Sequence, residues 1–137
     1  MLDRTTEQGQ RADGGLRGAE IVWLTTVHAD GRPQSSPIWF LWDGETILFY
    51  TKPDQKVRNI RRGPKVSLHL SDNGHGGDIV SIEGAAAVVS EGTPATIEPA
   101  YLEKYRQGIA GIGMTPEQMA AEYHVTVRVT PTRFRIW

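Results

Sequence analysis

The sequence contains no cysteine. That excludes a disulfide scaffold, a thiolate zinc site, an iron–sulfur cluster and a cysteine nucleophile. No apolar run approaches the ~18 residues that a membrane-spanning helix needs. An excess of one charge is also missing. Fifteen Lys and Arg face 16 Asp and Glu, for a net charge of −1, which argues against a protein that coats nucleic acid. The opening Met1-Leu2-Asp3-Arg4-Thr5-Thr6-Glu7 is polar and lacks the apolar stretch of a signal peptide. The expectation is a soluble, cytoplasmic domain without membrane or nucleic-acid partners. In contrast, glycine (15) and proline (8) are plentiful among the 137 residues. Turns are therefore many, and short strands fit better than a helix bundle. One domain spanning 1–137 is expected, large enough to bury roughly 65–70% of its unfolded surface.

Along the chain, Ala12, Leu16 and Ala19 mark a weak apolar stripe in an N-terminal helical segment (1–19) interrupted by Gly14-Gly15. Ile21 to Val27 is a dense β-branched and aromatic run, stopped by Asp30-Gly31 and restarted after Pro33. Ser35 to Trp42 reads as a second strand, Asp43-Gly44 as a turn, and Thr46 to Thr51 as a third strand of an antiparallel meander. A short helix is predicted from near Pro53 to Arg62, ended by Gly63-Pro64. Val66 to Leu70 and Ile79 to Val89 are strands four and five, with Gly84 marking a bulge or close approach. A helical excursion over 93–123 follows, with Ile97, Tyr101, Leu102 and Tyr105 on one stripe. It has a loose connection at Gly108 to Gly113 and a capped start at Thr115-Pro116. Val125 to Val129, extended by Phe134 to Trp137, is strand six. Six strands with short helices suggest a closed or split β-barrel, which leaves no open sheet edges.

Charge is concentrated rather than spread. Lys52, Lys56, Arg58, Arg61, Arg62 and Lys65 share one 14-residue window with a single acid, Asp54. The window carries +5 and the remainder −6. A basic helix start at a strand end fits a phosphate group, because free N–H groups, the dipole and cationic tips converge there. A solvated charged face fits the same composition. A nucleic-acid patch fits less well, since no aromatics are interleaved for base stacking. His28, His69, His75 and His124 lack metal-ligand spacing. Gly108-Ile109-Ala110-Gly111-Ile112-Gly113 has no preceding strand, so it fails the context of a dinucleotide loop. No Ser/His/Asp arrangement is evident. Trp23, Trp39, Trp42 and Trp137 read mostly as core, with one facing a groove. A phosphate clamp with apolar walls and no acid/base machinery suits a protein whose cofactor carries the chemistry.

Three segments together resemble a known family: Thr25 to Phe40, Leu48 to Thr51, and Lys56-Val57-Arg58-Asn59-Ile60-Arg61-Arg62-Gly63-Pro64-Lys65-Val66. They resemble the pyridoxamine-5′-phosphate-oxidase-like split-barrel superfamily, and within it the flavin/deazaflavin oxidoreductase B group of small F420-dependent enzymes. The likeness covers residues 20–90 best. It implies a mainly β, six-stranded split β-barrel (the FMN-binding split barrel) that works as a homodimer with cofactor sites at the interface. It implies that Lys56 and Asn59, with Val57 and Arg58 beside them, bind the cofactor phosphate, and that Tyr50 and Thr51 face it. Ser36, Pro37, Ile38 and Trp39 would lie along the flavin or deazaflavin ring. Arg58, Arg61 and Arg62 would meet the acidic tail of coenzyme F420. Trp137 and residues near Asp78 to Val80 would come from the partner subunit.

FMN-binding members carry Ser-Arg-Lys before the helix, whereas this chain reads Asp54-Gln55-Lys56. The missing arginine favours coenzyme F420 over FMN as the implied cofactor. The resemblance therefore implies a reductase that moves a hydride between reduced F420 and a small organic electrophile, with no catalytic side chain identified. An FMN oxidoreductase and a non-catalytic cofactor or haem carrier are the alternatives on the same fold. Haem would require His69 or His75 to face the groove.

Overall fold

The computed structural model describes residues 2–90 and 98–137. Its strands are β1 (Val22–Val27), β2 (Pro33–Ile38), β3 (Leu41–Trp42), β4 (Ile47–Thr51), β5 (Lys65–His69), β6 (Val80–Ser90) and β7 (Val125–Ile136). Its helices are α1 (Glu7–Gly18), α2 (Gln55–Arg62), α3 (Pro99–Gly111) and α4 (Pro116–Glu122). The strands form one sheet in the order β2-β1-β5-β6-β7-β4-β3, antiparallel throughout. The edge strands β2 and β3 are consecutive in the chain, with only Trp39 and Phe40 between them. The rolled sheet thus closes through its own backbone, which is a split barrel.

Among the described residues the strand count is seven, not six. The stretch expected as one strand, Ser35 to Trp42, is cut at Trp39-Phe40. The cause is a side chain from α3. The Tyr105 hydroxyl accepts from the Phe40 N–H at 2.9 Å and donates towards the Phe40 carbonyl at 3.0 Å, and Lys104 Nζ reaches the same carbonyl at 3.0 Å. With both backbone groups of Phe40 taken, no ladder continues there. The simple meander fails for the same reason. Only Leu41 and Trp42 pair with β4, whose longer partner is β7.

β4 explains why Ile47-Leu48-Phe49-Tyr50 shows no polar alternation. All five of its residues are buried, because both faces are covered. Ile47 and Phe49 join the barrel core with Leu24, Leu68, Ile82 and Val127, capped by Leu16 of α1 and by Val57 and Ile60 of α2. Leu48 and Tyr50 pack instead on Tyr101, Tyr105 and Ile109 of α3 and Met119 of α4. Gly84 sits at a register shift between β6 and β7, where an added Cβ would lie 2.9 Å from Val129 Cγ1 and 3.0 Å from the Thr130 carbonyl oxygen. The expected close approach is real.

Other expectations shift in detail. α3 runs through Gly108 to Gly111 where a loose connection was expected. Tyr101 and Tyr105 form its buried stripe as expected, while Ile97 lies outside the described residues. Of the four tryptophans only Trp42 is core. Trp39 is half-buried, and Trp23 (36%) and Trp137 (59%) are exposed. No described helix is long and apolar enough to cross a membrane.

Candidate functional site

The end of β2, the end of β4 and the start of α2 converge on one cavity of about 310 Å³. Pro37, Ile38 and Trp39 form one wall. Tyr50, Thr51 and Lys56 form the floor and one end. Tyr101 and Ile112, with Met119 and Tyr123 of the α4 region, close it from outside. Six of the sequence-nominated residues are therefore brought together: Pro37, Ile38, Trp39, Tyr50, Thr51 and Lys56. The four outer residues were missed as ligand contacts. Their helical stripe was legible, but not what it packs against.

The other nominated residues lie elsewhere. Ser36 is one step back along β2, opposite Leu24. Val57 points into the barrel core. Arg58 is exposed and donates to Gln55 Oε1 at 2.8 Å. Asn59 is 1% exposed and bonded inwards. Its Nδ2 donates to Thr26 Oγ1 at 3.0 Å, and its Oδ1 accepts from Gln55 at 2.8 Å and Arg62 at 3.1 Å. Asn59 thereby ties α2 to β1. Trp137 is one residue past the end of β7, whose start, Val125, pairs with Thr51. Twelve residue steps lie between them, a contour length on the order of 40 Å. Within one chain Trp137 does not reach this cavity.

Trp39 is held as a rigid wall. Its ring stacks on Tyr105 with centroids 4.7 Å apart and planes 6° from parallel. It also rests on Gly108, where a Cβ would come within 3.0 Å of Trp39 Cη2. Tyr50 is fixed from above, since its hydroxyl accepts the Glu98 N–H at 2.9 Å and its ring meets Tyr101 edge-on at 4.8 Å. Burial pushes the phenols of Tyr50, Tyr101 and Tyr105 above the ordinary tyrosine range. They stay protonated at neutral pH. Among the described residues the lining holds one amine, one hydroxyl and phenols, with neither carboxylate nor imidazole. It is built to hold a planar group and offers no general base of its own.

At the α2 end, Asp54 is the helix N-cap. Its carboxylate accepts from the Val57 N–H at 3.3 Å, from Thr51 Oγ1 at 2.9 Å and from Lys56 Nζ at 2.5 Å. The Lys56 side chain is 17% exposed. Beyond it Arg58, Arg61, Arg62 and Lys65 are exposed around the helix and its end. The basic window is thus a surface patch beside the cavity. Among the described residues no cluster of three or more His, Asp or Glu side chains is placed to hold a metal. His69 and His75 do not line the cavity.

Behind Trp39, Lys104 Nζ lies 3.9 Å from the centre of the Phe40 ring. Burial lowers its pKa from 10.5 to about 8. In the unfolded chain the amine keeps its proton to higher pH. Between about pH 8 and about pH 10 the unfolded state therefore binds more protons, and stability rises with pH. The raised tyrosines act in the opposite sense, but only near and above their ordinary value of about 10. Urea unfolding of the native protein is expected to show that rise, and Lys104→Met to flatten it. Parallel pH profiles for the two proteins would refute the assignment.

The open face of the sheet adjoins the cavity. On it Trp23 pairs with Pro37, a cavity residue, and Thr25 and Val27 follow opposite Ser35 and Pro33. Trp23 and Val27 are both exposed large apolar side chains.

Comparison with known proteins agrees with this fold. The chain's fold matches that of a solved F420 reductase, which is 29% identical, with 90% of this chain and 94% of that one covered and a TM-score of 0.67. A conserved hypothetical protein from Mycobacterium tuberculosis is 28% identical over 96% of this chain and 84% of its own, with a TM-score of 0.71. A haem storage protein from Vibrio cholerae shares the fold at 16% identity and a TM-score of 0.61, covering 93% and 90% of the two chains. The family model described as pyridoxamine 5′-phosphate oxidase matches residues 10–137. With nearly its whole length matched, and with a split barrel of the kind that binds flavin-type cofactors, the chain belongs to the pyridoxamine 5′-phosphate oxidase family.

Proposed function

We propose that this protein is a coenzyme F420-dependent reductase of small organic electrophiles, acting as a homodimer. The observation that carries the reading is the cavity. It has apolar and aromatic walls, a lysine at one end beside a basic helix, and no acid/base pair among its described residues. Its volume falls at the lower end of small-ligand sites, which suits a planar ring whose tail lies outside. The similar F420 reductase adds weight.

When bound, the reduced cofactor supplies a hydride from C5 of its deazaflavin ring. The chain's own residues do the rest. Pro37, Ile38 and Trp39 wall the ring, with Trp39 locked by Tyr105 and Gly108. Tyr50, Tyr101 and Met119 exclude water behind it. Thr51 and Lys56 face the phosphate, while Asn59 keeps α2 seated on β1. Arg58, Arg61 and Arg62 attract the acidic tail. The apolar face bearing Trp23 and Val27 is covered by a second copy, which brings its own Trp137 towards the site.

Titration with F420, followed by the cofactor's fluorescence and by sedimentation, tests both parts. Saturation at one cofactor per chain on a dimer is expected. A monomer that binds FMN but not F420 would overturn the reading in favour of the flavin alternative on the same fold.

A further inference from the structure

The donors assigned to a phosphate are already engaged. Thr51 Oγ1, Lys56 Nζ and the Val57 N–H all converge on one carboxylate, that of Asp54, at 2.9, 2.5 and 3.3 Å. Asp54 and Lys56 cancel each other's charge. Arg58 points along the exposed side of α2 towards Gln55, away from this corner. An anion entering this corner therefore finds the charge of Lys56 offset and the Asp54 carboxylate at short range.

We propose that Asp54 is a specificity-determining residue for the cofactor: its carboxylate, seated among Thr51, Lys56 and the first turn of α2, admits a singly charged phosphodiester and rejects a doubly charged phosphomonoester. The inference rests on the reading under Proposed function and names how that same site chooses. The repulsion grows with the charge brought beside the carboxylate. A phosphomonoester carries about −1.5 to −2 near pH 7. The phosphate of F420 is a diester with a single charge, and its remaining acids lie further along the tail, where the arginines are. FMN is the monoester. Asp54 thus works against FMN more than against F420, although Lys56 attracts both.

Asp54→Asn tests this with little cost to the fold, because asparagine caps helices as well as aspartate does. Asp54→Ser is the second variant, with a shorter cap. Both variants and the native protein are titrated with riboflavin, FMN and F420. Riboflavin has the FMN ring without the phosphate, so the FMN-to-riboflavin affinity ratio isolates the phosphate. That ratio is expected to rise by about tenfold or more in both variants, with a smaller change for F420. A ratio that stays within about twofold in both variants, in protein that still binds riboflavin or F420, overturns the role of Asp54 and leaves the function intact. If no form binds any of the three, the proposed function and this inference fall together.

Discussion

Replacing Tyr105 with alanine is expected to destabilise the protein by about 3–5 kcal/mol, and replacing it with phenylalanine by about 1–3 kcal/mol, measured by urea unfolding. The two variants separate two jobs of one side chain. The ring fills the second core between α3 and β4 and backs Trp39. The hydroxyl serves the barrel's closure. It takes the Phe40 N–H and meets the carbonyls of Phe40 and Glu20, the latter at 2.6 Å. Phenylalanine keeps the packing and leaves the Phe40 N–H buried without a partner. Lys104 still donates to the Phe40 carbonyl, so the loss falls mainly on the N–H. A Tyr105→Phe variant as stable as the native protein would show that the break between β2 and β3 does not depend on this hydroxyl.

The second large effect is on binding. Lys56→Ala is expected to weaken F420 affinity by at least about tenfold, since a charge-assisted contact to a phosphate is worth about 1.5–3 kcal/mol. Its effect on stability is expected to be small. The Lys56–Asp54 pair is partly exposed, and such pairs contribute about 0–1 kcal/mol. Binding lost with the melting temperature nearly unchanged marks a ligand contact. Unchanged affinity would remove Lys56 from the site.

Local signals carried much of the fold. Asp30-Gly31 and Asp43-Gly44 mark the turns they should, with φ of +90° and +95° at the glycines. Pro53 and Gly63 bracket α2, and the valine alternation of 125–129 marks the start of β7. The inner half of the cavity follows from those elements, because it lies at the ends of β2 and β4 and the start of α2. What stayed hidden depends on distant partners. The apolar run Ile38 to Trp42 looks continuous until a hydroxyl 65 residues away interrupts it. The burial of Asn59 is hidden too, since it depends on Thr26, 33 residues earlier, which accepts from its amide. Asp54 reads as one acid diluted among six bases, and only the side-chain geometry shows that it sits among the candidate phosphate donors.

The position of β7 has a consequence for how the chain acquires its shape. It is the last of the seven strands in sequence, yet it pairs with β6 on one side and β4 on the other. Without β7 the strand order divides into β2-β1-β5-β6 and β3-β4, and no ladder joins the two parts. Folding therefore cannot be completed vectorially during synthesis. It awaits β7, whose pairing with β4 is non-local in sequence, and contacts of that kind slow folding.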